Sequence, residues 1–161
     1  MPNVDALLAA LGVRATALPV AAYSNGHEHV LVALGSAREV SELTPDPSAL
    51  AAAARATVSV FHFDGQRVTS RVFAPYAGVL EDPATGSAAA PVALHLHASG
   101  LLGGRQELTI DQGRELGRPS QLYVRLTPAA GDVTIEVGGS AVIVARGQFT
   151  LPEDGDTSEV Q

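Results

Sequence analysis

The sequence predicts an α+β fold in which a curved, mostly antiparallel sheet wraps around one buried central helix. Predicted strands outnumber predicted helices and come in hairpins, marked by Asn25-Gly26 and Asp64-Gly65, which are strong signals for tight turns. Residues 87–99 are nearly uncharged and lack a wide polar face, which predicts a helix covered on most sides. The order of elements lacks a regular βαβ alternation, which disfavours a doubly wound parallel sheet.

The individual elements follow from apolar spacing and from residues that cap helices or form turns. Apolar residues at helical spacing predict a first helix, which Gly12 ends. Ser36 and Asp46 are N-cap residues for two more helices, the second with Pro47 in its first turn. The predicted helices span 4–11, 36–43, 46–55 and 87–99. Alternating or β-branched segments predict strands at 18–24, 29–34, 57–63, 67–73, 106–111, 121–127, 132–137 and 141–149.

Composition excludes several classes of function. The chain has 161 residues, is 46% hydrophobic and carries a net charge of −7, and all ten basic residues are arginines. Without lysine it forms no Schiff base with pyridoxal phosphate, and without cysteine it has no disulfide, thiolate metal site or cysteine acid–base pair. Few aromatic residues and an acidic pI disfavour nucleic acid as a partner. No run of apolar residues is long enough to span a membrane, so we expect no membrane partner either.

The two ends of the chain differ from its middle. Residues 151–161 are polar and acidic, so we expect a disordered tail after a single lobe at 1–150. The beginning of the sequence has no basic region followed by a long apolar core, so it predicts no signal peptide. We therefore expect a cytoplasmic protein.

The strongest candidate site lies where a predicted loop at 74–86 enters the predicted buried helix. Asp82 and Thr85 precede the helix, and Gly86 and Ser87 open it. A helix N-terminus presents unpaired N–H groups and a partial positive charge, so it binds carboxylates, and Asp82 beside it is placed to move a proton. The same residues are common helix caps, so a purely capping role remains an alternative.

Other polar residues give weaker signals. His27 and His29 share one face of a strand and would make half a metal site, but the sequence offers no third ligand, so we predict no metal. Arg114, Arg118 and Arg125 either bind an anion or form ion pairs at the surface.

Four ordered motifs resemble a known family. Arg71-Val-Phe-Ala-Pro75 followed by Glu81-Asp-Pro-Ala-Thr-Gly-Ser-Ala-Ala89 is similar to the signature of the PhzF (phenazine biosynthesis) family. The segments Asn25-Gly26 to His29-Val30, Gln112 to Ser120 and Val137-Gly138-Gly139 resemble its other landmarks. The resemblance covers residues 1–150. It implies the diaminopimelate-epimerase-like fold, which has two similar lobes with the active site in the cleft between them.

The resemblance is to the C-terminal lobe alone. The family's N-terminal lobe carries a catalytic Glu and a Gly-His-Pro segment, and neither is found in this sequence. The resemblance therefore implies half of a cofactor-independent isomerase that transfers a proton on a small carboxylic acid. In related racemases of this fold a Cys stands at the position of Thr85, so the absence of cysteine excludes two-thiol racemisation.

Residue by residue, the resemblance implies different roles. Asp82 matches a carboxylate that takes part in proton transfer, and Gly86 and Ser87, next to Thr85, match the residues that hold the substrate carboxylate. His29 matches a histidine of the first hairpin and is a candidate substrate contact. The segment around Gln112 matches a loop that we interpret as mainly architectural.

Two function hypotheses follow. In the first, a separate chain supplies the N-terminal lobe and the catalytic Glu, and the two together form the isomerase. In the second, the lobe stands alone, self-associates as a homodimer and binds a small carboxylate without catalysis. A third hypothesis is that the chain is a non-catalytic remnant or a fragment.

Overall fold

The structure is a computed structural model and describes residues 3–129 and 132–150. The predicted acidic tail at 151–161 lies outside these residues. Among them, the helices are α1 (Val4–Leu11), α2 (Ala37–Ser41), α3 (Pro47–Ala53) and α4 (Gly86–Ala98), with a short 3₁₀ turn at Pro75–Ala77. The strands are β1 (Ala21–Ser24), β2 (Glu28–Ala33), β3 (Thr57–Phe63), β4 (Arg67–Ala74), β5 (Val79–Asp82), β6 (Glu107–Gln112), β7 (Ser120–Ala129) and β8 (Asp132–Gly139).

Both predicted hairpins form at their turn dipeptides. The β1–β2 turn contains Gly26 and the β3–β4 turn contains Gly65, each at a φ of +94°, a backbone conformation that favours glycine. Asp64 Oδ1 accepts hydrogen bonds from the N–H groups of Gln66 and Arg67, both at 2.7 Å, which holds the second turn closed. The local sequence therefore specifies both hairpins.

The strands described form one sheet in the order β1-β2-β3-β4-β6-β7-β8, with β5 on β4. The pairs β2–β3 and β4–β6 are parallel and the others are antiparallel, so the sheet is mostly antiparallel, as predicted. Parallel neighbours need a crossover. The first crossover runs through α2 and α3, and the second runs through α4.

Helix α4 lies inside the curve of the sheet. It contacts β1 at one end of the strand order and β8 at the other, so the sheet bends around it. Its buried side chains, which include Val92 and Leu96, pack against strand residues of the inner face. These strand residues are Leu31, Ala33, Phe61, Val68, Leu108, Ile110, Leu122, Val124 and Leu126. The structure confirms the predicted curved sheet around a buried central helix.

A second apolar layer covers the outer face of β2, β3 and β4. Helices α1, α2 and α3 place Leu7, Leu11, Val40 and Leu50 against these strands. The strand residues in this layer are Val30, Val32, Val58, Val60 and Phe73, and Leu34 joins them just after β2. Because alternate strand residues face opposite sides, β2 and β3 are apolar on both faces, which explains their nearly continuous burial. None of the helices described here has the length and apolar character needed to cross a bilayer.

Two predictions about regular structure are wrong. Residues 74–86 are not one loop, because β5 forms within them and pairs with β4. Residues 141–149 are not a strand: they have no regular structure and are exposed throughout. A strand forms only where a neighbour accepts its hydrogen bonds, and within the described residues none pairs with this segment. In addition, β1 begins at Ala21 rather than residue 18, after Pro19, which has no N–H to donate.

Shortening a side chain of α4 tests whether this helix is buried in the core. We expect Leu96→Ala to lower the free energy of unfolding by about 2–5 kcal/mol, because Leu96 is fully buried and the change leaves a cavity. Leu101→Ala, just beyond the same helix and 48% exposed, is the control, and we expect a change within about 0.5 kcal/mol. Urea unfolding measures both. Similar losses in the two variants would contradict the buried position of α4.

Candidate functional site

Asp82, at the end of β5, faces α4. Its neighbour on β4 is Val72, which pairs with Ser59 on β3. Ser59 in turn pairs with Leu31 on β2, and Leu31 belongs to the inner core. Directly opposed residues of neighbouring strands point to the same face of a sheet. The Asp82 side chain is therefore on the inner side, close to where α4 begins.

A buried ion pair holds β5 against β4 from the other side. Glu81 precedes Asp82 and so points to the opposite face. The Arg71 guanidinium binds it at both oxygens, with Nε–Oε1 at 2.9 Å and Nη2–Oε2 at 2.7 Å. Arg71 Nη1 also donates to the Leu43 carbonyl at 2.8 Å. The pair therefore ties the strand that ends in Asp82 to both β4 and the outer helical layer.

The side-chain amide of Gln112 fixes the turn between Asp82 and α4. Gln112 Nε2 donates to the Asp82 carbonyl at 2.7 Å and to Thr85 Oγ1 at 3.0 Å, and its Oε1 accepts from the Thr85 N–H at 3.2 Å. Gln112 is itself buried at the end of β6. Both ends of the turn are thus bonded to one rigid side chain, which sets the distance from the acid to the helix.

Gly113 permits the close approach that this clamp requires. Its φ is +79°, and a Cβ added there would lie 2.5 Å from the carbonyl oxygens of Pro83 and Arg118. Both neighbours are backbone atoms, which move little. Any other residue would push the 82–85 turn away from β6. The segment that the sequence indicated as architectural therefore shapes the candidate site directly.

The first turn of α4 is open to an anion. Its N-cap residue, Thr85, makes no side-chain hydrogen bond to the helix. Instead the Thr85 hydroxyl donates to Asp82 Oδ2 at 2.5 Å. Gly86 and Ser87 are both exposed. Asp82 and Thr85 thus bond to each other rather than capping, so the positive end of the helix dipole faces outward beside a carboxylate.

A proline within α4 links the helix to the first hairpin. Pro91 has no N–H, so the Ser87 carbonyl, four residues earlier, loses its usual helical partner. Asn25 Nδ2 donates to this carbonyl at 2.9 Å. The helix stays continuous from Gly86 to Ala98 although Pro91 lies within it. The hairpin turn therefore lies directly against the candidate anion site.

The predicted pair of histidines also lies at this end of the lobe. The rings of His27 and His29 meet edge to face at 5.3 Å between centroids. His27 Nε2 lies 2.7 Å from Thr57 Oγ1 and 2.9 Å from the Tyr76 hydroxyl. His29 is fully buried, and neither ring nitrogen has a hydrogen-bond partner among the described residues. Its suggested role as a substrate contact stays a prediction.

The sequence predicted that Asp82 and the start of α4 lie together, but it did not predict the contacts that hold them in place. Asp82, Thr85, Gly86 and Ser87 are adjacent in the structure as in the sequence, whereas the clamp by Gln112 joins residues far apart in the chain. Arg71, Glu81, Gln112 and Gly113 had a signal, since each lies in one of the motifs that resemble the family. Of the three arginines considered for an anion, Arg125 pairs with Glu107 at 3.1 Å on the surface.

Two glycine substitutions distinguish the steric effect of the close approach at Gly113 from the effect of backbone strain alone. Gly117 also has a positive φ, +66°, but a Cβ there would meet nothing within 4 Å. We expect Gly117→Ala to cost about 1 kcal/mol of unfolding free energy through strain, and Gly113→Ala to cost clearly more because of its two backbone clashes. Urea unfolding measures both. Equal losses would mean that the 82–85 turn does not press on Gly113.

The buried His29 makes stability depend on pH. Burial, and secondarily the nearby His27, lowers the pKa of His29 from 6.5 to about 4. Between these values the unfolded chain binds a proton that the folded chain does not. The contribution of the neutral, buried His29 to the free energy of unfolding is therefore present above pH 6.5 and is lost as the pH falls to about 4. We expect His29→Leu to flatten the dependence of the unfolding free energy on pH in this window, measured by urea unfolding. An unchanged slope would contradict the buried neutral histidine.

Comparison with known proteins agrees with the fold and with the motifs. Residues 2–147 match the family model described as phenazine biosynthesis-like protein, PhzC-PhzF. A trans-2,3-dihydro-3-hydroxyanthranilate isomerase from Pseudomonas chlororaphis is 42% identical over 146 residues, which are 90% of this chain and 52% of that protein. The chain thus spans about half the length of the curated relatives it matches.

Solved structures give the same result. A PhzF-family protein from Enterococcus faecalis superposes with a TM-score of 0.64 at 27% identity, over 94% of this chain and 53% of that one. A predicted epimerase from Pseudomonas aeruginosa gives 0.69 at 28% identity, over 94% and 54%. These likenesses confirm the predicted fold class, a single lobe of the diaminopimelate-epimerase-like fold. The chain belongs to the phenazine biosynthesis-like (PhzC-PhzF) family.

Proposed function

We propose that this chain is the C-terminal lobe of a PhzF-type isomerase, completed by an N-terminal lobe from a second polypeptide. The complex moves a proton on a small carboxylic acid without a cofactor. Two findings support this: the chain belongs to a family whose relatives include isomerases, and it spans about half their length.

One observation carries the proposal: the carboxylate of Asp82 lies beside an uncapped helix start. The N–H groups of Gly86 and Ser87, with the Ser87 hydroxyl, bind the substrate carboxylate there, since this end of the helix is partly positive. Asp82 Oδ2 already accepts a hydrogen bond from Thr85, which orients it. Binding the acid at the helix start therefore brings the rest of the substrate towards Asp82.

The reaction needs a second acid–base group from outside this chain. An isomerisation by proton transfer removes a proton at one atom and returns it at another, so a donor and an acceptor must reach the substrate. This lobe supplies Asp82 as one of them. The catalytic Glu that the family resemblance implies for the N-terminal lobe supplies the other, so the lobe alone is inactive.

The substrate is a small cyclic carboxylic acid. The P. chlororaphis relative is named for trans-2,3-dihydro-3-hydroxyanthranilate, which has one carboxylate and a compact ring. This compound is the first substrate to test, because an exposed helix start binds the carboxylate and leaves the ring free to lie in the cleft between two lobes.

A stand-alone binding module is the second candidate. The observation in its favour is the exposed apolar segment at 142–144, which favours association of the chain with itself. Light scattering with size-exclusion chromatography distinguishes the two. A stable homodimer that binds a small carboxylate and gains no activity from a second lobe would support the module instead.

Asp82→Asn tests proton transfer. We expect the reconstituted complex to lose turnover of trans-2,3-dihydro-3-hydroxyanthranilate, because an amide neither accepts nor releases the proton, while its oxygen still accepts the Thr85 hydrogen bond and preserves the fold. Absorbance of substrate and product measures turnover, and circular dichroism checks folding. Asp132→Asn, at the exposed start of β8, is the control for loss of one charge. Unchanged turnover by Asp82→Asn would show that Asp82 only orients the turn.

Ser87→Ala tests the carboxylate site. We expect the complex to bind 2-aminobenzoate, a carboxylate that resembles the ring of the tested substrate, more weakly by about 1–2 kcal/mol, through loss of a hydrogen bond to a charged group. Calorimetric titration measures the affinity. Ser99→Ala, at the opposite end of α4, should leave it unchanged. Equal affinities in all three proteins would place the carboxylate elsewhere.

A further inference from the structure

Two backbone groups fix the orientation of the Gln112 side-chain amide. Its Nε2 lies 2.7 Å from the Asp82 carbonyl, which only accepts hydrogen bonds, and its Oε1 lies 3.2 Å from the Thr85 N–H, which only donates. Turning the amide over would place acceptor against acceptor at one contact and donor against donor at the other. The backbone therefore decides which end of the amide faces the Thr85 hydroxyl.

The end that faces this hydroxyl is the NH₂ group. Gln112 Nε2 lies 3.0 Å from Thr85 Oγ1. An amide NH₂ group donates and does not accept, and its two hydrogens suffice for the Asp82 carbonyl and for Oγ1. Thr85 Oγ1 therefore accepts a hydrogen bond from Gln112, and the one hydrogen of its hydroxyl is left for another partner.

The hydrogen of the Thr85 hydroxyl points to Asp82. Oγ1 lies 2.5 Å from Asp82 Oδ2, a length typical of a hydroxyl that donates to a charged carboxylate. Among the described residues, the Oγ1 atom bonds to Gln112 and Asp82 alone. A bond in the opposite direction, from a protonated Oδ2 to Oγ1, would therefore leave the Thr85 hydrogen without an acceptor. The three side chains form a hydrogen-bond chain with one direction, from Gln112 through Thr85 to Asp82.

This direction makes the two carboxylate oxygens of Asp82 unequal. Oδ2 accepts the Thr85 hydrogen, so a proton placed on Oδ2 would break the chain. Oδ1 has no hydrogen-bond partner among the described residues, and the Asp82 side chain is only partly buried. An added proton therefore belongs on Oδ1, which is also the oxygen left for a substrate bound at the start of α4.

The stability of the helix does not account for this arrangement. Threonine at the N-cap position normally accepts a hydrogen bond from the first turn of its helix, and Thr85 does not. Its hydroxyl orients an acid instead. Departures from such local rules occur chiefly at functional sites.

We infer that Thr85 is a positioning residue of the proposed reaction, which holds Asp82 so that the carboxylate exchanges its proton with the substrate at Oδ1. The inference rests on the proposed function, because it takes Asp82 as one of the two acid–base groups. When Asp82 removes a proton, an O–H bond forms at Oδ1 and the electron pair of the broken bond stays on the substrate. The second acid–base group supplies a proton at another atom of the substrate. Exchange with water then takes the proton from Oδ1 and returns one to the second group.

Proton NMR of the chain by itself tests the direction of the hydrogen-bond chain. A hydroxyl hydrogen held this closely by a carboxylate gives a signal far downfield that exchanges slowly with water. We expect the wild type to show this signal and Thr85→Val, which has no hydroxyl, to lose it. We expect Gln112→Glu to lose it too, because a carboxylate in place of the NH₂ group draws the Thr85 hydrogen away from Asp82. Thr127→Val and Gln106→Glu make the same exchanges at exposed positions and should keep the signal.

A wild type without this signal, or a signal that survives in Thr85→Val or Gln112→Glu, overturns the assigned direction. Circular dichroism checks that each variant is folded, and Thr85→Val decides alone if Gln112→Glu is not.

Turnover tests the positioning role in the complex of this chain co-expressed with the complementary part of the P. chlororaphis isomerase. We expect Thr85→Val to lower kcat for trans-2,3-dihydro-3-hydroxyanthranilate roughly 100-fold and to leave KM nearly unchanged, because Asp82 is misplaced while the helix start still binds the substrate. Thr85→Ser keeps the hydroxyl and should recover most of kcat. A loss that serine does not repair, or one that falls on KM instead of kcat, overturns the positioning role.

The outcomes separate this inference from the proposed function. If Asp82→Asn abolishes turnover and Thr85→Val leaves kcat unchanged, the positioning role is wrong and the proposed function stands. If the wild-type complex forms and has no turnover, the proposed function fails and the positioning role fails with it.

Discussion

The hydrogen bonds of the Gln112 side chain hold the candidate site together. One amide binds the carbonyl of Asp82 and both the N–H and the hydroxyl of Thr85. The distance between the acid and the start of α4 depends on this turn, which the hydrogen bond from the Thr85 hydroxyl to Asp82 also closes. Gly113 allows β6 to approach it closely. A buried amide satisfied at three points is rigid, and rigidity at this place is what a proton-transfer site requires.

The two apolar layers cover the middle of α4 and leave its first turn open. The sheet curves around the helix along its length, and α1, α2 and α3 cover the sheet from outside. The buried Arg71–Glu81 pair anchors β5 to the outer layer, while Asp82, next in sequence, points inward. The strand alternation therefore gives Glu81 a structural role and directs Asp82 to the candidate site. The open first turn of α4 is the exposed end of the helix that lies beside Asp82.

The sequence predicted what is decided locally. Both hairpins follow from their turn dipeptides, and α4 follows from its uncharged composition. The candidate residues Asp82, Gly86 and Ser87 follow from a helix-start motif and a family resemblance. The strand β5 was missed because two prolines and two glycines surround it, and its pairing depends on an ion pair between strands.

Other features depend on contacts that no local pattern shows. The role of Gln112 rests on bonds to residues far away in the chain, and the burial of His29 depends on how the hairpin lies on α4. Residues 141–149 illustrate the converse error. Their pattern predicts a strand, but a strand also needs a partner, and the described residues provide none.

Reconstitution tests most directly whether this chain is half of an enzyme. Turnover of trans-2,3-dihydro-3-hydroxyanthranilate is measured for the chain alone, for the complementary part of the P. chlororaphis relative expressed alone, and for the two co-expressed. We predict that only the co-expressed complex turns the substrate over. Turnover by the chain alone, or a well-formed complex without any turnover, would contradict a site shared between two lobes.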